Sequence, residues 1–371
     1  MKLFQQRTEI QKYKDAEEFV KAFSIGKGDF VLISGSTYHA WFKGLLTDAQ
    51  VRLKSEYGAG EPTDQMIDRM LDDFRKLDCK RVFAIGGGAV IDMAKLLVLD
   101  TQAGASDIYQ KKADLRKVRE LIAVPTTCGA GSEVSNVSIA ELTELKTKMG
   151  IAEDVLYADY AVLIPKLLEA LPYPFFATSA IDALIHAIES YVSPKASVYT
   201  EMFSKEAIRL ILQGFRQIAE HGPEARNGWM EELLIASNMA GIAFGNAGTG
   251  AVHAMSYPLS GKYHVAHGEA NYQFLVAVFR RYQKECPEGK IQELNAYLGH
   301  VLMCAPEEVY EELEALLNQI ISKKPLHEFG MIEEEIPMFA RSVEEGQQRL
   351  LNQSYVKFDK AVMEEIYREL F

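Results

Sequence analysis

Long apolar runs, paired cysteines, a basic charge balance and internal repeats are all missing from this sequence, and each absence removes a class of function. No stretch approaches 18 uninterrupted apolar residues, so no segment is expected to span a bilayer. The N-terminal stretch mixes charges where a signal peptide needs an apolar core, so no leader is expected. Cys79, Cys128, Cys286 and Cys304 are scattered without paired spacing, as in a cytoplasmic protein with reduced thiols. A net charge of −12 speaks against nucleic-acid partners and anionic membrane surfaces. What remains, 48% apolar and 25% charged residues, is the balance of an ordinary soluble globular protein. At 371 residues the chain exceeds the size at which one hydrophobic core stops growing, so two domains are expected.

The two halves differ in pattern. Residues 30–34, 81–85 and 121–124 are short apolar runs suited to buried parallel strands, and 136–140 and 161–164 suggest two more. Between them, residues 61–78 and 89–100 follow helical spacing, with Met66, Ile67, Met70, Leu71, Phe74 and Leu77 on one side of the first. This alternation predicts a doubly wound α/β sheet over residues 1–165. Residues 166–371 read as all-α, with helices at 178–192, 198–220, 229–244, 307–322, 333–350 and 359–370.

The common G-x-G-x-x-G fingerprint is also missing. In its place Gly86, Gly87 and Gly88 stand between an apolar strand and a helix, which is either a phosphate-binding turn or a structural one. A second loop, Thr126 to Glu133, follows another strand and is rich in hydroxyls and glycine. In open α/β sheets ligands collect beyond the carboxyl ends of the strands, where both loops would lie. Cys128 in that loop has no histidine nearby in sequence and is not read as a nucleophile.

Only eight histidines occur, and their placement is informative. Asp182 and His186 stand four residues apart on a helix that is apolar almost all round, with Glu189 one turn further along the same side. A buried carboxylate and imidazole need each other or a metal. Glu189 either orients His186 from behind or makes a plain polar contact between helices. Downstream, residues 248–271 hold His253, His264 and His267 among small residues. Asp182, His186 and two of these three histidines would suit Fe²⁺ or Zn²⁺. His39, His221, His300 and His327 fall in polar or helical segments and are assigned to the surface.

The motifs GGGAVIDMAK (86–95), VPTTCGAGSEVSNVS (124–138), SAIDALIHAIESYVS (179–193) and GAVHAMSYPLSGKYHVAHGEANY (250–272) carry a resemblance to the iron-containing (group III) alcohol dehydrogenases over nearly the whole chain. The resemblance implies an N-terminal dinucleotide-binding domain and a C-terminal metal and substrate domain. Position by position it implies Asp182, His186, His253 and His267 as metal ligands. It implies Gly86, Gly87 and Gly88 at the diphosphate of NAD, with Thr126, Thr127 and Ser132 along its path and Lys148 near the nicotinamide ribose. Asp92, within the glycine motif, is counted with these cofactor-binding residues. Many members carry a histidine where Tyr257 stands here, and many NAD-preferring members carry an aspartate where Gly35 stands, so NADP is the alternative coenzyme. The nearest members imply 4-hydroxybutyrate and succinic semialdehyde as substrate pair, with other small alcohols or diols as the alternative. Tyr257, Lys262 and His264 are then the candidates for binding the substrate carboxylate or relaying a proton. A small-molecule substrate and a homodimer are the expected partners. Cyclising lyases of the same architecture need a cluster of basic residues around the metal, and this window offers only Lys262.

Overall fold

The computed structural model describes residues 2–145 and 147–371. The chain divides into two units, one of residues 6–172 and one of residues 173–371 joined by the N-terminal residues through Gln5.

The first unit runs β1 (Glu9–Lys12), α1 (Ala16–Phe23), β2 (Asp29–Ile33), a helical turn α2 (Gly35–Thr37), β3 (Gln50–Leu53), α3 (Asp64–Phe74), β4 (Arg81–Gly86), α4 (Gly88–Leu97), α5 (Ala105–Tyr109), β5 (Glu120–Pro125), β6 (Val137–Leu142), β7 (Thr147–Ala152) and β8 (Tyr160–Leu163). Six strands form one sheet in the order β1-β8-β5-β4-β2-β3, with every neighbouring pair parallel. Side chains alternate across it. Phe30 and Leu32 enter a core with α3 and α4, whereas Val31 and Ile33 enter one with Phe19 and Phe42. Burial on both faces explains why these strands read as unbroken apolar runs.

From β2 the chain moves outward to β3, and from β4 it moves outward to β5 in the opposite direction. The order therefore reverses between β2 and β4, the place where open α/β sheets bind ligands. Ile33 pairs with Ile85 and Gly86 with Pro125, so the loops after β2, β4 and β5 emerge side by side.

One strand expected in this sheet lies elsewhere. β6 pairs antiparallel with β7 in a separate hairpin. Its burial alternates residue by residue, the mark of a strand with one solvated face. The strands β1, β3 and β7 were not legible, being short and half-exposed.

The second unit is helical: α6 (Tyr173–Val192), α7 (Val198–His221), α8 (Met230–Ala247), α9 (Ala251–Tyr263), α10 (His267–Glu285), α11 (Lys290–Leu302), α12 (Val309–Ile320), α13 (Ile336–Gly346), α14 (Gln348–Leu351) and α15 (Lys360–Leu370). α6 is its axis, buried at every residue from Ala180 to Val192 and packed on α7, α8, α10 and α11. Its first turn carries Pro174, whose missing N–H would have no intrahelical partner there anyway. Among the described residues no helix is long and apolar enough to cross a membrane. All four cysteines are free thiols.

Candidate metal centre and nucleotide cradle

Three helices each deliver a pair of side chains four residues apart. α6 supplies Asp182 and His186, α9 supplies His253 and Tyr257, and α10 opens with His267 and carries Asn271 one turn on. One ligand atom from each of Asp182, His186, His253 and His267 lies within 4.8 Å of all the others. The Nε2 atoms of all three histidines stand 3.9 Å from an Asp182 carboxylate oxygen, beyond hydrogen-bonding distance and spaced as around a common centre.

Backbone packing makes this convergence feasible. Gly268 follows His267 where α10 crosses α6, and an added Cβ would overlap the Thr178 carbonyl and come within 3.0 Å of the Asp182 Cβ. Glycine there lets the two helices approach closely enough for His267 to reach Asp182. The rings also stack, His186 lying 4.3 Å from Phe244 and 4.8 Å from His253 between centroids.

The surroundings fix each group. Asn271 donates to Asp182 Oδ1 at 2.7 Å and itself accepts from Ser256 at 2.5 Å. Burial pushes the Asp182 carboxyl up, but the imidazoles of His186, His267 and His253 and the Asn271 amide outweigh it, leaving the carboxyl below its usual range. Glu189 is buried, accepting from Val252 N at 2.8 Å and contacting His253 Nδ1 at 2.5 Å. From the sequence Glu189 could either orient His186 or make a plain polar contact between helices. The structure turns it instead to His253, because α9 begins beside that stretch of α6.

These residues fit a metal on a specific observation. His253 is only 3% exposed, and its Nε2 has no hydrogen-bond partner among the described residues. An unpaired buried nitrogen costs about 1–3 kcal/mol. A cation at the shared point would satisfy it, and three nitrogens with one carboxylate form a donor set for Fe²⁺ or Zn²⁺. The His267 side chain is 30% exposed while the other three are nearly enclosed, so the centre opens beside His267.

Around this opening the expected substrate residues diverge. The ring of Tyr257 lies 6.0 Å from that of His267, partly exposed. His264 is the left-handed residue (φ 54°) closing α9, exposed and outside the group of four. Lys262 forms an ion pair with the buried carboxylate of Glu335, to which Tyr263 also donates. It anchors the end of α9. His39, His221, His300 and His327 are exposed, as expected.

In the first unit the glycines act partly through packing. A Cβ on Gly86 would overlap Val90, and one on Gly88 would come within 2.7 Å of the Ala130 Cβ and 3.3 Å of Ser132 Oγ. A Cβ on Gly87 would reach the Thr127 methyl at 3.2 Å. The glycine turn and the threonine loop thus touch because neither side has bulk. Gly87 caps α4 without any side-chain acceptor, which leaves its first turn suited to an anion. Thr126 and Ser132 are buried and Thr127 is partly exposed beside it. Cys128 is fully buried.

Two residues expected at the cofactor are engaged within the protein. Asp92 accepts from Ile139 N at 3.1 Å and pairs with the fully buried Lys95 at 3.4 Å. Lys95 also donates to the Val137 carbonyl. Burial pushes the Asp92 carboxyl up and the Lys95 ammonium down, each partly offset by the other. The pair ties α4 to the β6–β7 hairpin. Lys148, on β7, pairs with Glu61 at 2.5 Å. Gly35 opens α2 with open space around it, Ser55 Oγ at 3.9 Å being the nearest atom to an added Cβ.

The sequence reading did not reach Asn271, Ser256, Gly268 or Lys95. A signal existed for Asn271, which repeats the four-residue spacing of Asp182 and His186.

Comparison with known proteins identifies the family. Residues 8–165 match the family model for iron-containing alcohol dehydrogenase, and residues 176–371 match that for the C-terminal part of the Fe-containing alcohol dehydrogenase family. The chain is 49% identical over 371 residues to the 4-hydroxybutyrate dehydrogenase of Clostridium kluyveri, covering 100% of both chains. It is 34% identical to long-chain-alcohol dehydrogenase 1 of Geobacillus thermodenitrificans over 78% of this chain and 74% of that one. Among solved structures, sulfoacetaldehyde reductase from Bifidobacterium kashiwanohense in complex with NAD+ shares the fold with a TM-score of 0.86 at 22% identity, over 99% of this chain and 98% of that chain. With both parts of the family matched in order, the chain belongs to the iron-containing alcohol dehydrogenases.

Proposed function

We propose that the protein is a metal-dependent, NAD-linked dehydrogenase interconverting 4-hydroxybutyrate and succinic semialdehyde. The observation that carries the substrate reading is the 49% identity, end to end, with a relative of that activity. In this reading Asp182, His186, His253 and His267 hold the metal, Fe²⁺ foremost and Zn²⁺ as the alternative. When bound, the metal supplies Lewis acidity to the substrate oxygen and the nicotinamide supplies the hydride acceptor.

The chain's own residues bind, orient and move the proton. Asp182 brings one negative charge among three neutral imidazoles, which leaves the loaded centre mildly cationic and receptive to an oxygen anion. Gly86, Gly87 and Gly88 open the first turn of α4 to a diphosphate, with Thr126, Thr127 and Ser132 beside it. Asp92 and Lys95 support that turn from behind, and Lys148 stands on the hairpin they anchor. Tyr257 offers its hydroxyl to the substrate carboxylate. Lys262 is less suited, since Glu335 already engages it. His264, exposed after α9, passes the released proton to solvent. The protein works as a homodimer in the cytoplasm, where its four thiols stay reduced.

The test compares succinic semialdehyde with butyraldehyde, which has the same four-carbon chain without the carboxylate. A charge-assisted hydrogen bond contributes roughly 1.5–3 kcal/mol, so kcat/KM should favour the acid by at least about tenfold. The preference should shrink in Tyr257→Phe. Equal efficiency on both aldehydes would remove the carboxylate from the reading.

Coenzyme choice has its own test. An added Cβ at Gly35 meets only Ser55 Oγ, at 3.9 Å. Gly35→Asp is expected to spare NAD-linked turnover and to lower NADP-linked kcat/KM by about tenfold, through repulsion of the 2′-phosphate. An equal loss with both coenzymes would show that residue 35 does not face the ribose.

A further inference from the structure

Glu189 lies among the most enclosed carboxylates of the second unit, 2% exposed, and no ligand role falls to it. Both of its oxygens are nevertheless committed. Oε1 accepts the backbone N–H of Val252 at 2.8 Å, and Oε2 lies 2.5 Å from His253 Nδ1. Val252 is the second residue of α9, and the residue capping that helix, Gly250, has no side chain to accept from it. Glu189 thus caps α9 from α6, and one residue later fixes the histidine. Gly250 leaves room for this, since a Cβ there would come within 3.2 Å of Glu189 Oε1.

A neutral imidazole carries one proton, on either Nδ1 or Nε2. A carboxylate oxygen accepts and cannot donate, so its contact with Nδ1 requires the proton there. Nε2 is then left as a lone pair. That is the His253 atom 3.9 Å from Asp182 Oδ1 with no hydrogen-bond partner among the described residues. With both oxygens occupied and both side chains buried, rotation of the carboxylate does not relax the constraint.

We propose that Glu189 is the positioning residue of the metal centre: it locks His253 in the Nδ1–H tautomer with Nε2 facing Asp182, and pins the helix that carries it. The inference rests on His253 being a ligand. It goes beyond that assignment in making metal affinity depend on a carboxylate that does not touch the metal. Glutamine has the shape of glutamate but only one acceptor. In Glu189→Gln the amide either accepts from Val252 and donates to Nδ1, which moves the proton to Nε2, or accepts from Nδ1 and faces Val252 N–H donor to donor. Both arrangements weaken ligation.

The experiment is a chelator-competition titration of Zn²⁺ into metal-stripped wild type, Glu189→Gln and His253→Ala. Thermal unfolding of the metal-free proteins and the visible absorption of their Co²⁺ forms are recorded alongside. Glu189→Gln is expected to lose about 10- to 100-fold in metal affinity, the usual effect of removing a ligand's hydrogen-bond partner, and to alter the Co²⁺ spectrum. A role confined to capping α9 would lower the metal-free Tm while leaving affinity and spectrum at wild-type values, and that result would overturn the proposal. Wild-type affinity in His253→Ala would overturn the ligand assignment and the inference together. If Glu189→Gln fails to fold, ¹⁵N NMR of the metal-free wild type decides: an Nδ1–H signal for His253 supports the inference, and an Nε2–H signal overturns it.

Discussion

His267→Ala is expected to yield a folded protein that binds little metal and turns over at least about a thousandfold more slowly. Several kcal/mol of charge stabilisation pass through the metal, and each 1.36 kcal/mol is a factor of ten in rate. Folding should survive because the side chain is 30% exposed and the buried Asp182 keeps His186, His253 and Asn271 as partners. His186→Ala should behave alike in activity, with some added loss of stability from its stack on Phe244. His253→Ala is the harsher change, since it leaves the buried Glu189 carboxylate without its imidazole donor, and a hydrogen bond to a charged group contributes about 1.5–3 kcal/mol. His264→Ala should leave metal content unchanged, because that residue lies outside the clustered four. Metal analysis and circular dichroism on the purified variants check all of this. Full metal and full rate in His267→Ala would remove His267 from the centre.

The second large effect comes from a residue with no side chain. Gly268→Val places carbon where the Thr178 carbonyl and the Asp182 Cβ already lie, one the backbone of α6 and the other the base of a buried side chain. Neither can yield, so α10 must move away and take His267 with it. The expected cost is about 3 kcal/mol or more, at the upper end for overpacking, together with loss of metal affinity. Gly261→Ala is the control, since an added Cβ there meets nothing within 4 Å. Thermal unfolding with and without metal separates the outcomes. A Gly268→Val protein with wild-type Tm and affinity would mean that the helix crossing is looser than its packing implies.

Much of this was written in local pattern. Residues 30–34, 81–85 and 121–124 read as strands because burial on both faces leaves them apolar apart from Ser34 and Arg81 at their ends. α6 read as a buried helix carrying an acid and a histidine because helical spacing puts those two on one side. The helix α9 was not legible. Its turns hold His253, Ser256, Pro258, Ser260 and Gly261, so polar residues occupy its buried side, no amphipathic stripe shows and the composition resembles a loop. β6 was legible as a strand but not as a hairpin partner, since its mate β7 carries Thr147, Lys148 and Gly150. Long-range choices were beyond reach too. Spacing put Glu189 on the right face of α6, but only the fold decides that His253 meets it. Nothing near Lys262 announces Glu335, 73 positions on, as the partner that engages it.

The most direct measurement strips the protein with a chelator and follows NADH oxidation with succinic semialdehyde as Fe²⁺ is returned anaerobically. The expected result is a rate near zero without metal, rising linearly to a plateau at about one ion per chain, as a single four-ligand centre requires. His267→Ala should gain nothing under the same titration. Full activity in the metal-free protein, or full recovery in His267→Ala, would contradict the metal centre of Asp182, His186, His253 and His267.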